Sequence, residues 1–126
     1  RATPDAPPPL VATLAGPYQQ ATEDVLGRAA VLITALRSSD VRVAAQLSPQ
    51  ATRLLGSTRL LLDSPAATDQ RMRNLLLDLE LTLAQIARMQ PARGTTELTL
   101  INDAVVERDI VPRIRSAVVD LSAGGY

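Results

Sequence analysis

The stretch Leu75–Met89, LLLDLELTLAQIARM, decides how this chain folds. On a helix, Leu75, Leu76, Leu79, Leu83, Ile86 and Met89, with Met72 one turn earlier, form an apolar stripe about 140° wide. Leu77 and Leu81 fall nearly opposite it. A half-buried strand would alternate with period two, and no such alternation persists beyond a few residues. The segment is expected to be a helix with two apolar sides, set at the centre of the fold or between the core and a partner.

Working outward, Thr68 is expected to cap this helix, with Asp69 in its first turn against the positive end of the helix dipole. Pro91 stops it after Gln90, because the residue before a proline is pushed out of helical geometry. Upstream, Ser48 and Pro49 read as cap and first position of a helix. Its inner face carries Ala51, Leu54, Leu55, Thr58, Leu61 and Leu62, and Leu60 points the other way. Asp63, Ser64 and Pro65 end it.

Closer to the start, Pro17 suits a first helical position, where its missing N–H would have no partner in any case. Tyr18, Thr22, Val25, Ala29, Leu32, Ile33 and Leu36 follow on one stripe. Ser38, Ser39 and Asp40 break it, and VRVAAQL at 41–47 forms a short helical turn. Downstream, Thr95 or Thr96 caps a helix with Leu98, Ile101, Ala104 and Val105 inward. Pro112 cannot donate to the Arg108 carbonyl and crowds it, so the chain must kink or restart. A restart takes Asp109 as cap and Ile114, Ala117, Val118 and Leu121 as the last stripe.

The fold class expected is all-α, a small helical bundle of four to five helices spanning residues 17–122. Residues 1–17 hold five of the nine prolines, including PPP. Such a run favours extended polyproline geometry, so 1–16 reads as a Pro/Ala-rich linker or juxtamembrane tether. Residues 123–126 read as a disordered tail. The chain begins with Arg1, which suggests a piece of something longer or a processed product. At 126 residues it is one domain, large enough to bury a real core.

Composition narrows the chemistry. Cys and His are absent, which removes thiolate or imidazole metal sites, disulfides and nucleophile–histidine catalysis together. No metal and no cofactor are expected, since calcium loops and Gly-rich phosphate cradles are missing as well. Charge balances at 13 Arg against 13 acids. That leaves no excess field for phosphate backbones, and the only aromatics are Tyr18 and Tyr126, so no nucleic acid is expected as partner.

The nearest carboxylate pairs, Asp78 with Glu80 and Glu107 with Asp109, lie two residues apart and point about 200° from each other on a helix. They read as solvated charges, and no catalytic role is assigned. Arg71 with Arg73, and Arg113 with Arg115, could hold an anion or a lipid headgroup, although solvated arginines are the commoner meaning. Met72 and Met89 read as core. The features most suggestive of function are Leu60, Leu77 and Leu81. Either helices of the same chain cover them, or they form an interface with a protein partner or a second copy, a homodimer seam.

LLLDLELTLAQIARM, with RLLLDS at 59–64 and NDAVVERDIVPRIRSA at 102–117, resembles the C-terminal part of bacterial membrane-bound anti-sigma factors of the zinc-finger type. The resemblance spans about residues 18–118. It implies a parent with a cytoplasmic zinc-binding segment that sequesters a sigma factor, one transmembrane helix, and this domain outside the inner membrane. The segment itself would make no membrane contact, and its proline-rich start would be the tether. The family's zinc motif needs His and Cys, so no sigma-binding residue carries over to this chain. Pro112 departs from the continuous apolar run of the family's closing segment. The role implied is that of a non-enzymatic sensory, regulatory or assembly domain, periplasmic, acting in transcription regulation and signal transduction through protein–protein contact. The alternative is a structural oligomerisation or adaptor module unrelated to sigma factors.

Overall fold

The computed structural model describes residues 18–38, 40–90 and 94–122. The tether expected at 1–16, the start at Pro17 and the tail at 123–126 lie outside them. Among the described residues there are six α-helices and no strand, so the chain is all-α. The helices are α1 (Gln19–Arg37), α2 (Val41–Ala45), α3 (Ser48–Leu62), α4 (Gln70–Ala87), α5 (Gly94–Glu107) and α6 (Ile110–Ser122), with a 3₁₀ turn at Pro65–Thr68.

The stripe of α4 is the middle of the core. Met72, Leu75, Leu76, Leu79, Leu83 and Ile86 are buried, as is Met89 just beyond the helix. They meet Leu26, Leu32, Ile33 and Leu36 from α1, Leu54, Leu55 and Leu61 from α3, and Ile110, Ile114 and Leu121 from α6. Helices α3 and α4 form an antiparallel hairpin, and α1 lies against both α3 and α6. Ala29, Ala44 and Ala51 are fully buried. Small side chains at such sites let helices approach closely, which suits a core built without Phe or Trp. The buried hydroxyls of Thr22, Thr58 and Thr82 donate to the carbonyls of Tyr18, Leu54 and Asp78, one turn back on their own helices. No polar hydrogen is stranded there.

Helix starts differ from the expected caps in three places. Asp69 caps α4: its backbone is extended and its carboxylate accepts from the Met72 N–H at 2.9 Å. Thr68 instead closes the 3₁₀ turn, which Ser64 opens by accepting from the Ala66 N–H. Both are capping residue types one position apart, and the turn chemistry at Ser64–Pro65 selects the second. Ser48 does not cap α3; Leu47 holds that position in helical geometry, and the Ser48 hydroxyl donates to the Ile86 carbonyl at 3.0 Å. A contact across 38 residues has taken the group a local reading assigns to the helix end. Thr95 and Thr96 lie inside the first turn of α5, which begins at Gly94.

Asp109 does mark a restart, through its backbone. It has φ of 52°, and its carbonyl accepts from Arg113 N–H at 3.0 Å. A left-handed residue between two right-handed helices turns the chain, and Asp tolerates that conformation better than most. Pro112 then falls in the first turn of α6, where no N–H partner is needed.

Replacing Asp69 by Ala removes the acceptor for an otherwise unpaired N–H at the start of the central helix. The expected loss is about 1 kcal/mol, read from the urea midpoint by far-UV circular dichroism. Thr68→Ala, the control, is expected to change it by under about 0.5 kcal/mol.

Candidate functional site

Leu60, Leu77 and Leu81 remain on the surface, 73%, 40% and 42% exposed, while Leu76 and Leu79 beside them on α4 are fully buried. No described helix covers the three, so packing of the same chain on both sides of α4 does not occur among the described residues. Arg59 and Glu80 fix their geometry. The Arg59 Nε donates to Glu80 Oε2 at 3.1 Å across the α3–α4 seam. One residue further along each helix, a step of about 100°, Leu60 and Leu81 turn from the seam towards solvent. Leu77 lies one turn before Leu81 on the same side. The three leucines therefore share the solvent face of the hairpin, Leu77 and Leu81 one turn apart along α4, beside the Arg59–Glu80 ion pair.

Asp78 points the other way from Glu80, as residues two apart must. Its Oδ2 accepts from Arg113 Nη1 at 2.6 Å, and its Oδ1 lies 4.0 Å from Arg108 Nη1. Arg113 also donates to the Arg108 carbonyl at 3.0 Å. This carboxylate ties α4 to both sides of the α5–α6 junction. Asp78 and Glu80, read from sequence as solvated charges, are thus the anchors of two interhelical ion pairs. Their partners are 35 and 21 residues away, beyond the reach of any local pattern.

A shallow groove of about 490 Å³ runs between α4 and α6, lined by Arg71, Asn74, Asp109, Arg113, Ser116 and Asp120. Arg113 is already committed to Asp78. Asp109 precedes α6 and Asp120 lies near its other end, so the length of the helix, roughly 15 Å, separates them, too far to act on one bond. Glu107 and Asp109 are both exposed and form no ion pair among the described residues. Arg73 and Arg115 are also exposed. Among the described residues no cluster of three or more acidic, His or Cys side chains could hold a metal ion, and no helix is long and apolar enough to cross a membrane.

Sequence reading missed other exposed aliphatics: Val31, Val43, Leu100, Val106 and Val119. The position of Val31 was legible, opposite the α1 stripe. The others lie on short helices whose inward direction depends on which neighbour they find.

Comparison with family models, with curated proteins and with solved structures finds no match to this chain.

Proposed function

We propose that this chain is a contact domain rather than an enzyme: the extracytoplasmic sensory, regulatory or assembly portion of a membrane-anchored anti-sigma factor. The observation that carries the contact role is the exposure of Leu60, Leu77 and Leu81 on one face of the α3–α4 hairpin, opposite the buried stripe of α4. Three leucines held on two helices need no backbone ordering when a second surface meets them, so only side-chain rotamer freedom is lost. The Arg59–Glu80 pair between them supplies one donor and one acceptor. A two-fold interface places each against its opposite in a second copy. The anti-sigma part of the proposal is supported by the leucine-rich resemblance described above. In that role, partner contact biases an equilibrium between two packings, and the tether passes the bias to the sigma-binding end.

Two measurements test the parts separately. Mass in solution, by light scattering across a concentration series, is expected to rise for the wild type and stay monomeric for Leu77→Asp. A monomer in both at millimolar concentration removes self-association. The coding sequence upstream of Arg1 is expected to specify one apolar span and, before it, a Cys/His zinc segment. Reading through it without either sinks the anti-sigma assignment and leaves an adaptor module.

A further inference from the structure

Helix α5 is attached differently from the rest of the bundle. Among its described side chains only Ile101 and Val105 are buried, with Leu98 half-buried against the core, whereas α4 buries seven side chains over 18 residues. Leu100 and Val106 are 63% and 57% exposed. The Asn102 Oδ1 is buried and accepts no hydrogen bond. A stranded acceptor of that kind is destabilising, and the penalty disappears once water reaches it. Near its start, α5 is tied by an exposed bond from the Gln90 N–H to Glu97 Oε1 at 3.3 Å.

Its far end is clamped. Asp78 holds Arg113 and lies against Arg108, and Arg113 holds the Arg108 carbonyl, so both sides of the left-handed Asp109 are fixed to α4. A helix with few buried anchors, one destabilising buried atom and one clamped end has an opening free energy below that of the whole fold. We infer that α5 is a strap. It lifts from the bundle as a unit, pivoting at the clamped Arg108–Asp109 junction, while α1, α3, α4 and α6 stay folded. Opening bares the inner face of α5, Ile101 and Val105, together with the core side chains they cover. The inference rests on burial and bonding alone and stands independently of the regulatory reading.

Hydrogen exchange by mass spectrometry on the full chain tests it. Amides of 98–107 are expected to exchange at least 10-fold faster than those of 75–86, with the pattern unchanged by protein concentration. Asn102→Leu, which removes the stranded oxygen and adds apolar contact, is expected to slow exchange in α5 and leave α4 as it was. Exchange of α5 in step with α4 in the wild type overturns the inference. So does a variant that protects both helices equally, or one that leaves α5 unchanged.

Discussion

Leu79→Ala is expected to lower unfolding free energy by about 3–4 kcal/mol, a large part of what a domain of this size possesses. Leu79 is fully buried at the middle of the α4 stripe, where Leu76, Leu83 and the facing leucines of α1 and α3 leave little freedom to collapse into the space vacated. The loss combines the transfer of the deleted carbons with the cavity left behind. Leu77→Ala, two positions away, is expected to change stability by less than about 0.5 kcal/mol, because that side chain already meets water. Urea titrations followed by far-UV circular dichroism separate the two, provided the slope with denaturant stays constant. Similar costs for both would mean that α4 is rotated from the orientation described.

Gly27→Ala combined with Gly56→Ala is expected to act in the opposite direction, stabilising the fold by about 2 kcal/mol. Both glycines lie in helix interiors, in α1 and α3, on exposed faces. A Cβ built at either position meets nothing within 4 Å. With no close approach and no positive φ to require glycine, each costs about 1 kcal/mol in backbone entropy relative to Ala. They are on different helices, so the gains should add. The melting temperature is expected to rise by about 5–10 °C. A double variant that melts no higher, or lower, shows that the glycines are matched to something the isolated chain lacks.

The parts of the fold legible in sequence were those set by short-range periodicity. The α4 stripe, its outward Leu77 and Leu81, the break near Ser38, the end at Asp63 and the restart before Pro112 all depend on residues within two turns of one another. What sequence did not reveal was set by distant partners. Ser48 reads as a cap until the Ile86 carbonyl is brought beside it. Asp78 and Glu80 read as solvent charges until Arg113 and Arg59 arrive from other helices. The weak attachment of α5 was hidden for a related reason. Leu98, Ile101 and Val105 repeat as a stripe should, but only the packed fold shows that Leu100 and Val106 find nothing to cover them.

The first and last turns of the fold meet. Gln19 Nε2 donates to the Leu121 carbonyl, the Ser122 hydroxyl reaches Glu23 Oε1 at 3.4 Å, and Leu121 is buried beside Tyr18 and Met72. Entry and exit thus share one pole of the bundle, the geometry that lets a domain be spliced into a surface loop of a host protein or have its ends joined and a new opening cut elsewhere. Traction between the two ends would part α1 from α6 contact by contact, as a zipper runs, rather than loading the whole interface in shear.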